Sequence, residues 1–206
     1  MKGIFITFEG IDGSGKTTQI KLLADYLQKK GYDVVVTREP GGTEIGDKIR
    51  EILLDPSNKG MSVRTETFLF EASRAEIVEK VINPALSSGK IVICDRFFDS
   101  TIAYQGIARG LGIETVLDMS LWATGGLVPD ITFLLSADSS ECDKRMKVSS
   151  KKPDRIENEE EDFKQKLQEG YRQLADNFGG RVVALNGGLP VSEIFQLIKT
   201  RIKELL

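Results

Sequence analysis

The stretch Phe8 to Gln19, FEGIDGSGKTTQ, constrains this chain more than any other. Its glycines at 10, 13 and 15 and its lysine at 16 follow an apolar run and open a helical pattern. Gly10 to Thr17 fits G-x-x-x-x-G-K-[ST] at every defined position. Glycines let consecutive backbone N–H groups converge on an oxyanion with no Cβ in the way, and a helix N-terminus adds partial positive charge at the same spot. The pattern predicts a nucleoside-triphosphate cradle for ATP made by Gly10, Ile11, Asp12, Gly13, Ser14, Gly15, Lys16, Thr17 and Thr18. Lys16 would neutralise the β- and γ-phosphates, and the Thr17 hydroxyl would coordinate Mg²⁺. A dinucleotide fingerprint has no use for the Lys16-Thr17 pair.

Short apolar runs recur beyond the loop. GIFITF (3–8), DVVVT (33–37), KIVICD (90–95), DITFLL (130–135) and RVVALN (181–186) are β-branched and unalternating, as strands covered on both faces should be. Periodic segments separate them. Ile20, Leu23 and Leu27 share a helical face that ends at Gly31, and Ile45, Ile49, Ile52 and Leu53 form a second stripe. Thr65 to Ser88 reads as mostly helical, with a kink or boundary at Pro84. Phe163, Leu167, Tyr171, Leu174 and Phe178 mark another helix, and Ile194, Ile198, Ile202 and Leu205 a last one. Strands alternating with helices demand right-handed crossovers. The expectation is an α/β, three-layer P-loop NTPase fold, a five-stranded parallel sheet flanked by helices, in a single domain over 1–206.

Composition narrows the chemistry. The chain has no histidine, which removes imidazole bases and histidine metal ligands. Its two cysteines, Cys94 and Cys142, have no metal or redox spacing and suit a reducing cytoplasm. A net charge of −3 argues against nonspecific nucleic-acid binding. No run approaches the roughly 18 apolar residues of a membrane span, and the N-terminus lacks a signal-peptide pattern. A soluble, cytoplasmic protein is expected, with no nucleic acid and no membrane among its partners.

A triphosphate site of this type needs an acid at the end of a neighbouring strand to hold the metal, and IVICDR supplies Asp95. Many ATP hydrolases follow that acid with a glutamate that activates water. Here Arg96 follows, and a guanidinium suits a second phosphate. The guanine signature N-K-x-D is missing; NKGM at 58–61 fails at its last position. The residues therefore point to phosphoryl transfer from ATP to an acceptor that is itself anionic. TREPGG (37–42), LFEASR (69–74) and DRFFDSTIAYQG (95–106) supply the acceptor side. Phe70 and Arg74 share a helical face, and Arg96, Thr101, Tyr104 and Gln105 follow the metal-side strand. An aromatic ring, an amide and guanidinium groups are the tools for a nucleobase carrying a phosphate.

With these blocks in view, the chain resembles the thymidylate kinase family, the P-loop enzymes that phosphorylate dTMP. FEGIDGSGKTTQ, TREPGGT, FLFEASR, DRFFDSTIAYQG, GLVPDITF and DRIE run in family order over nearly the whole length. The resemblance implies that Phe70 stacks on thymine, Arg74 addresses the base edge and Gln105 reads the base opposite it. Tyr104 would crowd the sugar 2′ position, Asp12 would meet the 3′-hydroxyl, and Arg96 and Arg50 would hold the dTMP phosphate. It further implies a cis peptide before Pro40 that aims Arg38 and Glu39 into the site. Thr101 stands where many relatives carry serine. A homodimer is implied too, formed through helices beside the sheet. Another nucleoside-monophosphate kinase, acting on dUMP or AMP, or a non-catalytic P-loop ATP-binding regulator, are the alternatives.

Residues 144–162, KRMKVSSKKPDRIENEEED, have almost no apolar content, and their first half is basic. Some relatives carry arginine directly after the loop acid; here that position is Gly13. The resemblance then places the catalytic charge in a mobile lid, about 144–157, with Arg145, Lys147 and Arg155 joining Lys16 and Arg96 as catalytic cations, alongside Lys151 and Lys152. The loop at Asn186-Gly187-Gly188 is the expected neighbour of adenine.

Overall fold

The computed structural model describes residues 3–138, 141–142, 144–145, 154–156 and 159–206. The strands are β1 Ile4–Glu9, β2 Val34–Arg38, β3 Ile91–Asp95, β4 Ile131–Ser136 and β5 Val182–Asn186. They pair in parallel in the order β2-β3-β1-β4-β5. The five apolar runs of the sequence are thus the five strands, each within a residue of its expected place.

The helices are α1 Lys16–Lys29, α2 Glu44–Leu54, α3 Val63–Ile77, α4 Asn83–Ser87, α5 Phe98–Thr101, α6 Ile113–Thr124, α7 Glu161–Asn177 and α8 Val191–Lys203. Successive strand residues point to opposite faces, and the sheet uses both. Ile6, Phe8, Ile91, Ile93 and Phe133 pack with Leu23 and Leu27 of α1 and Ile194, Ile198 and Ile202 of α8. Phe5, Val92, Cys94 and Leu134 pack with Ile77 of α3 and Phe163, Leu167, Tyr171 and Leu174 of α7. Three layers follow from one rule of alternation.

The second helical stripe behaves differently from its pattern. Of the apolar stripe on α2 only Leu53 is fully buried, whereas Ile45 and Ile52 are about half exposed. Leu205 is also exposed, because α8 ends at Lys203 and its seam closes with Ile202. Pro84 does not break the long helical segment. It cannot donate to the carbonyl one turn back, and the chain widens into a π turn over Val78–Ile82 before α4 resumes. A second π turn, Ile102–Ala108, extends α5 and carries Tyr104 and Gln105. α7 crosses it closely at Gly170, where an added Cβ would sit 3.1 Å from the Ala103 carbonyl oxygen. That close approach brings Tyr171 to the site.

A polar cluster lies inside the sheet-helix layer. Arg181 holds both carboxylate oxygens of buried Asp99 at 2.6 Å, and Thr132 bridges from Asp99 to Thr7. Every member has a partner, which a buried charge requires. Among the described residues no helix is long and apolar enough to cross a membrane.

Candidate active site

The carboxyl ends of β1, β2 and β3 converge where the strand order reverses, the place open α/β sheets use for ligands. In register, Phe8 and Arg38 flank Asp95, so the glycine loop, the TREPGG loop and the DRFF segment leave the sheet side by side. Gly10, Gly13 and Gly15 have φ of 132°, 81° and 101°, values only glycine adopts without strain. Lys16 Nζ is buried and donates to the carbonyls of Gly10 (2.9 Å) and Ile11 (3.1 Å). Burial and then Arg96 lower its pKa, against the pull of Asp12 and Asp95. Thr17 donates its hydroxyl to Asp95 Oδ2 at 3.4 Å. The two side chains expected at the metal thus face one another. Both offer hard oxygen donors, the kind Mg²⁺ takes along with phosphate oxygens and water.

Arg96 links donor and acceptor sides. Its backbone φ of +70° is rare for a side-chain-bearing residue and costs about 1 kcal/mol or more. The strain is held by bonds on either side. Arg96 N–H donates to the Phe8 carbonyl (2.9 Å), and the next N–H, of Phe97, to Glu9 Oε1 (2.7 Å). The guanidinium then reaches Asp12 Oδ1 (2.7 Å), Ser100 Oγ (3.1 Å) and the Tyr171 hydroxyl (3.0 Å), and lies 5.5 Å from the Tyr104 ring centre. Both hydroxyls pass their own hydrogens to Glu9 Oε2, which turns their lone pairs toward Arg96. Burial, with Asp99 adding to it and Arg96 opposing, pushes the Glu9 carboxyl up to about 7.

Beside Arg96 opens a cleft. The structure brings Asp12, Glu39, Arg50, Phe70, Arg74, Arg96, Thr101, Tyr104 and Gln105 together around it, all nine residues expected on the acceptor side. Pro40, Leu54, Phe97, Ser100, Asp154 and Ile156 complete the wall. Arg74 is fully buried yet engaged at each of its nitrogens: Nε donates to Glu39 (2.9 Å), Nη1 to Glu71 (2.7 Å) and Nη2 to Thr101 (2.9 Å). Burial opposes its charge, but Glu39 and Glu71 outweigh it and hold the guanidinium protonated. Arg50 donates to the Pro40 carbonyl (2.9 Å) and enters the cleft half-buried.

The Glu39-Pro40 bond is cis, as the resemblance implied, and Glu39 does line the cleft. Arg38 does not. It turns to the surface, 3.1 Å from Asp47 Oδ1, because alternate residues of an edge strand face opposite ways.

The lid cations divide. Arg145 donates to the carbonyls of Gly13 (3.3 Å) and Gly187 (3.4 Å), beside the glycine loop. Arg155 takes a different partner. Its side chain is buried, 2.6 Å from Glu66 and donating to the Leu53 carbonyl (2.7 Å), so α2 and α3 hold it and not the glycine loop. Lys147, Lys151 and Lys152 lie outside the described residues. At Gly13 an added Cβ would stand 2.6 Å from the Cys142 carbonyl oxygen, so the backbone ahead of the lid fills the place a side chain would need. Gly187 sits close to Ser14 of the glycine loop, which sets the Asn186-Gly187-Gly188 turn beside the donor site.

Glu9, Ser100, Tyr171, Glu66 and Glu71 take part in this network without having been read as site residues in the sequence. Two had a signal. Glu9 is a lone charge ending an apolar strand, and Glu66 lies one turn before Phe70 on the stripe that leads to Arg74.

The thymidylate kinase family model matches residues 8–198. The thymidylate kinase of Caldanaerobacter subterraneus subsp. tengcongensis is 48% identical over 206 residues, covering 100% of this chain and 98% of that protein. That of Bacillus licheniformis is 42% identical over 207 residues, with coverage of 100% and 98%. Among solved structures, thymidylate kinase from Ehrlichia chaffeensis superposes with a TM-score of 0.79 at 33% identity, covering 98% of this chain and 99% of its own. Fold, strand-end site and kinship over the full length agree: the chain belongs to the thymidylate kinase family.

Proposed function

We propose that this enzyme transfers the γ-phosphoryl group of ATP to dTMP, giving dTDP and ADP, within one P-loop domain spanning residues 1–206. The observation that carries this is the Arg96–Asp12 contact, which joins a triphosphate loop to a cleft lined with the nine acceptor-side residues. A water-activating carboxylate is not needed here. The attacking oxygen of the dTMP phosphate is already anionic at neutral pH, and phosphoryl transfer asks mainly for alignment and charge neutralisation. That oxygen forms a bond to the γ-phosphorus as the bond to the β,γ-bridging oxygen breaks. The electron pair of the broken bond leaves with ADP.

The chain's own residues carry the roles as follows. Backbone N–H groups from Gly10 to Thr18 and the Lys16 ammonium hold the ATP phosphates, Lys16 exchanging its loop carbonyls for phosphate oxygens. Thr17 and Asp95 would hold Mg²⁺, whose chemistry is to neutralise charge across the β- and γ-phosphates. Arg96 and Arg50 take the dTMP phosphate, Asp12 the 3′-hydroxyl, Tyr104 the 2′ face, and Phe70 the flat face of thymine. Arg145, already at the glycine loop, brings lid charge to the transferred group, with Lys147 in the same segment. Arg155 anchors the far end of that segment. Closing the lid over both substrates excludes water and suppresses hydrolysis of ATP.

The family suggests a homodimer, and one surface supports it. Helices α2, α3 and α6 pack side by side and leave Ile45, Ile52, Phe68 and Trp122 exposed, Trp122 at 88%. A cytoplasmic location fits the reduced, buried Cys94 and Cys142.

A coupled ADP-release assay across nucleoside monophosphates, with and without Mg²⁺, tests the reading. Turnover with dTMP well above that with AMP is expected. Preference for AMP would overturn the substrate, and ATP binding without ADP formation would make the chain a non-catalytic regulator.

A further inference from the structure

Gln105 lies at the cleft wall, and its orientation is not its own choice. Its Nε2 donates to Glu66 Oε1 at 2.8 Å. Glu66 sits on α3, one turn before Phe70, and is 1% exposed. Three cationic contacts surround the same carboxylate: Arg109 Nε reaches Oε1 and Arg109 Nη2 reaches Oε2, each at 3.2 Å, and Arg155 Nη2 lies 2.6 Å from Oε2. Burial works to raise the Glu66 pKa, but the Gln105 amide and the two arginines outweigh it, and the carboxyl is held below its ordinary value. An ionised carboxylate only accepts hydrogen bonds. Gln105 must therefore turn its NH₂ toward α3. Its carbonyl oxygen, which bonds no protein group among the described residues, is left for the cleft.

We propose that Glu66 is a specificity-determining positioning residue: it locks the Gln105 amide so that an acceptor faces the base, and thereby selects a pyrimidine with a hydrogen on N3. Thymine and uracil have that hydrogen. Cytosine has a lone pair at N3 and would meet the Gln105 oxygen with nothing to share. This inference rests on the reading of the cleft as a thymidylate site, and it assigns a cause to the choice of base that no residue touching the base supplies alone. Arg74 provides the neighbouring donor, since Glu39, Glu71 and Thr101 leave one of its Nη1 hydrogens uncommitted. Donor and acceptor side by side match the O4 and N3–H edge of thymine.

The environment also fixes what happens when the charge is removed. In Glu66→Gln the new carbonyl would stay where Arg109 and Arg155 both donate, at the Oε2 position. Its NH₂ would then face Gln105, whose oxygen would turn to accept from it. The Gln105 NH₂ would swing to the cleft, and the base reader would be inverted.

The test is the ratio of kcat/KM for dTMP to that for dCMP, with the ratio for dTMP to dUMP as the internal control. In Glu66→Gln the dTMP/dCMP ratio is expected to fall at least ~10-fold, because a site built to accept an N–H discriminates strongly against its absence. The dTMP/dUMP ratio should stay within ~3-fold, since both bases carry N3–H. A variant that loses activity uniformly, leaving both ratios as in wild type, would overturn the proposal and make Glu66 a structural anchor. A second arm uses the unaltered enzyme, in case Glu66→Gln does not fold. Turnover of N3-methyl-dTMP within ~3-fold of dTMP would equally sink it, and a loss of ~100-fold or more is expected. Failure of the thymidylate reading itself would show separately, as absence of turnover with dTMP in the unaltered enzyme.

Discussion

Arg96 Nη2 donates to Asp12 Oδ1 at 2.7 Å, so the residue that follows the metal-side strand is tied to the middle of the glycine loop. Both side chains line the acceptor cleft, and Asp12 also lies 3.6 Å from Lys16 Nζ. The donor and acceptor sites therefore share a border of alternating charge.

Arg96→Ala removes the guanidinium while leaving Asp12, Ser100 and Tyr171 in place. It is expected to lower kcat/KM for dTMP by about 100-fold, close to 2.7 kcal/mol of transition-state stabilisation. KM for ATP should change by less than ~3-fold, because Arg96 belongs to the acceptor side. Steady-state kinetics with each substrate varied in turn decide the matter; equal losses on both sides would reassign the residue.

Lys16→Ala deletes the buried cation at the triphosphate loop. A fall in kcat of about 1,000-fold is expected, the scale seen when preorganised charge stabilisation is removed. The thermal midpoint should not drop, since burying that ammonium disfavours its charged form. Kinetics and a melting curve on one preparation test both halves.

Much of this site was legible in residue types and spacing. Lys16, Thr17, Asp95 and Arg96 follow from the loop pattern and the strand that ends beside it, and all five strands from their unbroken apolar runs. What stayed hidden depends on side chains meeting from distant parts of the chain. Glu66 sits one turn before Phe70, but that placement does not give its role, which exists only because Gln105, Arg109 and Arg155 reach it from elsewhere. The π turn at Ile102–Ala108 was equally silent, because no local preference marks a widened turn, and so was helix α6. The α2 stripe misled for a related reason. Periodicity reports an apolar face but not whether this chain or another covers it.

Gly13→Arg places a side chain at φ +81° and against the Cys142 carbonyl. A stability loss of about 1–3 kcal/mol is expected from strain at such a position. ATP affinity should fall with it, as the loop must shift to make room. Urea unfolding and nucleotide titration read the two effects; a variant as stable as the parent would show that the Cys142 segment yields freely.

Stability should also carry a signature of Glu9. Its carboxyl is raised from the ordinary 4.5 to about 7, first by burial and then by Asp99, so the folded chain keeps a proton there that the unfolded chain releases. The stabilisation is complete below pH 4.5 and is lost as pH climbs through about 7. Glu9→Gln abolishes this component. The unfolding free energy of the variant minus that of wild type should therefore increase by about 1–3 kcal/mol between pH ~5 and pH ~8. Denaturant titrations at a series of pH values measure it, and a difference independent of pH would place the proton elsewhere.

The contact between the Gly13 carbonyl and Arg145 joins positions 132 apart in the chain, and a Cβ at Gly13 would collide with the backbone at Cys142. The two segments therefore fit one another as a pair. A chimaera that takes its first strand and glycine loop from a relative with arginine at that position, while keeping residues 141–145 of this chain, would bring together two halves each shaped to fill the same space. Only a graft that carries both segments across preserves their fit.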